Sequence, residues 1–217
     1  MKVSDLINAI NIYDVKVVFD DLEKVGENVC SGGIIYFTPV EGKERDKYEK
    51  MYRKDEFVSS SSCIHIPNLS IADIIDLYKN CDGTGIYEWT CKTISEQCEN
   101  IKNIEEAFLI FVFLHEVGHW KQFVGGKCNV KSFVEMDIEL EKENFDKMNE
   151  LEIQRCERIN RGNTCKQTAK ERKLAEQYMM EYRRIPKERE ADKFAMSKII
   201  DSLDLYYTSL EKSKQSI

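Results

Sequence analysis

Residues 103–126, NIEEAFLIFVFLHEVGHWKQFVGG, decide how the rest of the chain is read. The stretch opens on Asn103, a helix-capping residue type, with Glu106 three places later in a variant of the capping box. Ala107 to Leu114 is the longest apolar run in the chain. It falls far short of the ~20 residues that span a bilayer. It reads as a helix apolar on every side, buried in a globular core. The spacing predicts a helix running to Phe123 and stopping at Gly125-Gly126. His115 and His119 stand four apart near its end, and they are two of the three histidines in the whole chain. Residues at i and i+4 share a helix face, so both imidazoles can address one cation. Glu116 is rotated from His115 by about 100°. Its carboxylate falls beside the cation, where it can take a proton from a water that zinc acidifies to a pKa near ~7. Gly118 removes a side chain next to the ligands, leaving room for a second helix to approach.

A catalytic zinc takes three protein ligands and keeps one position open. The third ligand comes either from His65 or from a carboxylate in residues 186–195, PKEREADKFA. Periodicity discriminates within that segment. At about 100° per residue, Ala191, Ala195 and Ile199 define an inward face with Phe194 at its edge. Glu188 shares that face, Asp192 lies one turn further on beside it, and Glu190 falls on roughly the opposite side. Glu188 is therefore the expected third ligand, with Glu190 and His65 as alternatives. Asp192 is placed to accept a hydrogen bond from a ligand imidazole, which fixes the ring's tautomer and raises its basicity. A strand histidine such as His65 is more often structural than ligating.

Outward from these motifs, the first third of the chain reads as α/β. Ser4 caps a short helix to Ile12, and Val15–Phe19, Gly33–Val40 and Ser61–Pro67 are strands rich in β-branched and aromatic residues. Residues 41–56 form a charged connection, Ser70 caps a helix to about Asn80, and Cys81 to Gly85 is a turn. A long amphipathic helix is expected from about Lys131 to Asn160, with Phe145, Met148, Cys156 and Ile159 on one face and an i,i+4 pair between Glu143 and Lys147. Arg161 to Thr164 turns the chain into a second helix reaching about Arg184, with Leu174, Tyr178 and Tyr182 stacked along it. Pro186 starts the last helix, to about Leu203. The predicted fold is α+β: a small N-terminal mixed sheet with helices over about residues 1–100, then a largely helical part over about 101–217. A helical hairpin inserted at about 131–184 belongs to the same single domain.

The net charge of −7 argues against nucleic acid as a partner, since phosphate binding needs a basic surface. Residues 1–10 lack the apolar core of a signal peptide and no segment suits a bilayer, which points to the cytoplasm and away from the membrane. None of the eight cysteines forms a CxxC pair, which argues against a cysteine zinc knuckle, and the missing signal peptide favours reduced thiols. The contrasting reading pairs Cys156 with Cys165 and Cys81 with Cys91 as disulfides, which would suit a secreted or delivered toxin.

Taken together, His115-Glu116-Val117-Gly118-His119 followed by Glu188-x-x-Ala191-Asp192-x-Phe194-Ala195 resembles the gluzincin class of zincin metallopeptidases. The second motif is similar to two branches, the soluble ImmA/IrrE-type peptidases, which cleave transcriptional repressors, and the membrane-embedded HtpX-type peptidases. The lack of a membrane segment favours the soluble branch, although the interval between the motifs is longer than in its compact members. The resemblance covers about residues 105–198. It implies Zn2+ as cofactor, His115, His119 and Glu188 as ligands, Glu116 as base and Asp192 behind the ligands. The expected activity is hydrolysis of a protein or peptide substrate, a transcriptional repressor among the candidates. That substrate would lie along an edge strand such as Ser61–Pro67. Tyr178, Tyr182, Tyr206, Tyr207 and His65 are unranked candidates for an oxyanion donor. The competing expectation is a non-catalytic binding protein whose structural zinc is closed by Cys128 or His65.

Overall fold

The computed structural model describes residues 1–20, 34–39, 62–80, 85–127, 129–161 and 168–215. In chain order these form α1 (Val3–Ile10), β1 (Lys16–Asp20), β2 (Tyr36–Thr38), β3 (Cys63–Pro67), α2 (Ile71–Asn80), α3 (Ile86–Gln97), α4 (Ile104–Gly125), α5 (Val130–Glu135), α6 (Ile138–Asn160), α7 (Ala169–Tyr182) and α8 (Pro186–Gln215). The architecture is the α+β arrangement expected, a small mixed sheet with helices and then a largely helical C-terminal part. Among the described residues no helix is long and apolar enough to cross a membrane.

The strand order is β1-β3-β2, with β3 parallel to β1 and antiparallel to β2. Every residue of β3 is buried. This corrects the expectation that Ser61–Pro67 offers a free edge. Its ladder is filled on both sides, so β1 and β2 are the outer strands among the described residues. β2 is shorter than the 33–40 segment predicted; Ile34 and Ile35 are buried outside it.

The central element is α4. Ala107 to Leu114 are all buried, packed in one apolar cluster with Leu6, Ile7 and Ile10 of α1, Ile64 and Ile66 of β3, and Ala195, Ile199 and Leu203 of α8. A helix enclosed on every side can be apolar all round without exposing that surface to water. Its N-terminus is capped by Asn103 Oδ1, which accepts from the N–H groups of Glu105 at 3.0 Å and Glu106 at 3.3 Å. Glu106 directs its carboxylate elsewhere, to the hydroxyls of Tyr206 at 3.3 Å and Tyr207 at 3.0 Å on α8. Further down, Gly118 lets α8 come within contact: a Cβ built there would lie 2.8 Å from Ala191 Cα.

Other boundaries moved for identifiable reasons. Ser4 lies inside α1, which starts behind Lys2, whose N–H donates to Asp5 at 3.2 Å. Ser70 does cap α2, accepting from the Asp73 N–H at 3.1 Å. Gly85 begins α3 with φ +73, a backbone conformation that side chains strain. The helix predicted over 131–160 is broken at Met136-Asp137, where Asp137 has φ +60. The apolar face assigned to it is also corrected. Phe145 is 68% exposed, while Asn144 is buried and donates to the Tyr178 carbonyl of α7 at 3.0 Å. The α6–α7 seam is set by polar pairs, with Lys147 Nζ 3.2 Å from Glu181 and Arg158 Nε 2.8 Å from Glu171. The Glu143–Lys147 pair forms as expected, at 2.9 Å. Thr168 and Glu171 close a capping box at the start of α7, with bonds of 3.2 and 2.6 Å. Pro186 is the first residue of α8, which runs past Leu203 to Gln215. Residues 41–56, Cys81, Cys128, Cys165 and most of the 161–164 turn lie outside the described residues, so the expected Cys156–Cys165 and Cys81–Cys91 pairs are not described.

Candidate metal centre

Two helices build the centre. The last turns of α4 present His115 and His119, and the first turn of α8 presents Glu188; their ligating atoms all lie within 4.8 Å of one another. All three residues are buried, Glu188 to 2% exposure. His115 Nε2 and His119 Nε2 are 3.0 Å apart. Glu188 places Oε2 3.1 Å from the first and Oε1 3.4 Å from the second. Ligand atoms bonded tetrahedrally at ~2.0–2.1 Å lie roughly 3.3 Å from one another, which is this spacing.

The surrounding hydrogen bonds say which atoms carry protons. His115 Nδ1 is 2.9 Å from Asp192 Oδ1, a carboxylate that can only accept, so Nδ1 carries a proton and Nε2 is the atom turned to Glu188 at 3.1 Å and His119 at 3.0 Å. Gln122 Nε2 donates to the Lys187 carbonyl at 2.7 Å, which turns its Oε1 toward His119 Nδ1 at 3.0 Å. His119 therefore also donates through Nδ1 and turns Nε2 toward Glu188 at 3.4 Å. Two imidazole Nε2 atoms and a carboxylate thus converge on one point. Such a group needs a proton or a metal cation between its atoms, and a His-His-carboxylate set is a zinc-type donor set. The residues present fit the ion.

Burial pulls the His115 pKa down, but the bonds to Asp192 and Glu188 more than offset it and raise it to about 9, so without a cation the ring takes a second proton, in the place a bound metal would hold. Burial likewise favours neutral Glu188, but His119 and His115 hold its carboxyl well below the usual range. Behind them Arg183, itself buried, donates from Nη1 to Asp192 Oδ1 at 2.7 Å and lies over the Trp89 ring of α3 at 5.2 Å. Asp192 is thereby held as an acceptor for His115.

Glu116 stands beside the triad. Its Oε2 accepts the Phe37 N–H of β2 at 2.8 Å, and burial raises its pKa. Phe37 is anchored by its ring, 5.8 Å from both Phe123 and Phe133.

The remaining expected residues lie elsewhere. His65 is tied to Asp20 Oδ2 at 3.0 Å and Cys63 Sγ at 3.2 Å, with Tyr36 stacked on it, and stands outside the triad. Glu190 is exposed and pairs with Lys193 at 2.7 Å, because it sits on the outer side of α8. Tyr206 and Tyr207 serve Glu106, nine residues and roughly 14 Å up α4 from His115. Tyr182 does reach the centre: its hydroxyl bonds to Glu188, and burial pushes its pKa well up. Tyr178 gives its carbonyl to Asn144. Gln122, Arg183 and the Phe37 N–H were not anticipated. Gln122 shares the ligand face at i+3 from His119 and could have been found by spacing. Arg183 and a backbone N–H carry no such signal.

Fold and site define a class: an α+β protein with a buried His-His-Glu triad suited to a transition metal and a carboxylate beside it. No protein-family model, curated protein or solved structure matches the chain.

Proposed function

We propose that the protein is a zinc-dependent endopeptidase. The observation that carries this reading is the convergence of His115 Nε2, His119 Nε2 and Glu188, with Glu116 one residue along the same helix. Zinc held there supplies Lewis acidity, lowering the pKa of a water toward ~7 and polarising a carbonyl. Glu116 takes the proton of the attacking water and passes it to the leaving amine. The Phe37 N–H holds the other carboxylate oxygen, so Glu116 is oriented before substrate arrives. β2, one of the two outer strands of the described sheet, reaches Glu116 through the Phe37 N–H, so an extended peptide would lie on this side of the sheet. Asp192 and Gln122 keep both imidazoles in the ligating tautomer.

The substrate class is a protein or peptide, and a transcriptional repressor is the member that the resemblance to ImmA/IrrE-type peptidases implies. The test is a cleavage assay on casein and on candidate repressors with the wild type and Glu116→Gln. The variant is expected to retain stoichiometric zinc and lose hydrolysis by a factor of about 10²–10⁴. Wild-type turnover by Glu116→Gln sinks the mechanism.

A further inference from the structure

Glu188 lies in the first turn of α8, and that turn has no cap of its own. The residue before Pro186 is Ile185, which has no side-chain acceptor. A helix start leaves N–H groups without partners, and here the acceptor arrives from another part of the chain. The Lys187 N–H donates to Asp137 Oδ2 at 2.9 Å. The negative charge also suits the positive end of the helix.

Lys187 is gripped further. Its carbonyl accepts from Gln122, the residue that orients His119. Its ammonium pairs with Glu141 of α6 and lies 5.2 Å from the Phe133 ring of α5. Phe133 in turn stands edge-on to His119 at 6.3 Å. Asp137, Glu141 and Phe133 all belong to the corner between α5 and α6. At that corner Asp137 adopts φ +60, a left-handed conformation that Asp tolerates better than most residues. The break in the predicted long helix and the cap on α8 are therefore one feature.

Resting on the metal-centre reading above, we propose that the α5–α6 corner is a positioning device for the metal. Asp137, seconded by Glu141, fixes the first turn of α8 so that Glu188 stays within reach of both histidines. The hairpin insertion is then a strut of the centre and not an appendage.

The test titrates the full-length wild type, Asp137→Gly, Asp137→Asn and Glu141→Gln with zinc against a chromophoric chelator, and records the melting temperature of each apo protein. Glycine keeps the positive φ and removes the carboxylate, so the apo melting temperature should change little. The zinc Kd of Asp137→Gly should rise roughly ten- to hundredfold, the range for groups that orient ligands. Asparagine retains an acceptor and should restore tight binding, while Glu141→Gln should weaken it in the same direction as Asp137→Gly. A wild-type Kd in Asp137→Gly overturns the proposal even if the apo protein melts earlier. If Asp137→Gly does not fold, a wild-type Kd in Glu141→Gln overturns it. A wild type that takes up no zinc removes the metal-centre reading and this proposal together, whereas zinc-binding wild type with unaffected variants removes this proposal alone.

Discussion

Asp192 Oδ1 serves two donors at once, His115 Nδ1 at 2.9 Å and Arg183 Nη1 at 2.7 Å. The carboxylate holds the His115 ring so that Nε2 faces the triad. Asp192→Asn weakens that acceptor and leaves the Arg183 charge buried without its counter-ion. Zinc affinity should fall by about 10–100-fold, measured by competition with a chelator, while Glu116 keeps its bond to Phe37. An unchanged affinity would show that Asp192 has no hold on the ligand ring. Much of this residue-scale chemistry was legible beforehand. The i,i+4 histidines and the shared face of Glu188 and Asp192 follow from helix geometry alone. Arg183 was not legible, because it reaches Asp192 from outside α8, and no spacing rule relates two residues on different helices.

Two elements carry predictions of their own. Gly118 is the point of closest approach between α4 and α8, and a methyl there meets backbone, Ala191 Cα at 2.8 Å. Gly118→Ala should destabilise the fold by about 1–3 kcal/mol in chemical denaturation. Ala191→Gly should not rescue it, since the clashing Cα remains. In the hairpin, the bonds from Arg158 and then from the Thr168 N–H hold the Glu171 pKa down to about 2. A depressed folded-state pKa stabilises the protein above the ordinary carboxylate value of 4.5, and that stabilisation is lost as pH falls toward 2. Glu171→Gln should flatten the acid limb of hairpin stability across that window, followed by far-UV circular dichroism. An unaltered limb would show that the pair contributes nothing. At this scale the caps were readable at Asn103 and Ser70, because a cap is a local bond between neighbours in sequence. The capping role expected of Glu106 was not realised, since Tyr206 and Tyr207 lie within reach of its carboxylate.

In the whole molecule the triad joins α4 to α8, the helix pair around which the core is assembled. A ligand that binds only the folded state stabilises it by mass action, about 2.7 kcal/mol at a free concentration 100 times its Kd. Zinc should therefore raise the melting temperature of the wild type, and a chelator should return it to the apo value. Glu188→Gln should show a much smaller zinc-dependent rise; an equal one would place the ion elsewhere. The sequence by itself determined the α+β class, the buried helix and the face of that helix bearing His115 and His119. Those properties depend on composition and on the 3.6-residue period of one helix. Tertiary structure decided that β3 lies inside the sheet and not at its edge, that the α6–α7 seam is polar, and that Asp137 caps α8. Each of these depends on which backbone groups remain free after distant segments pair, and that is settled only when the chain has folded.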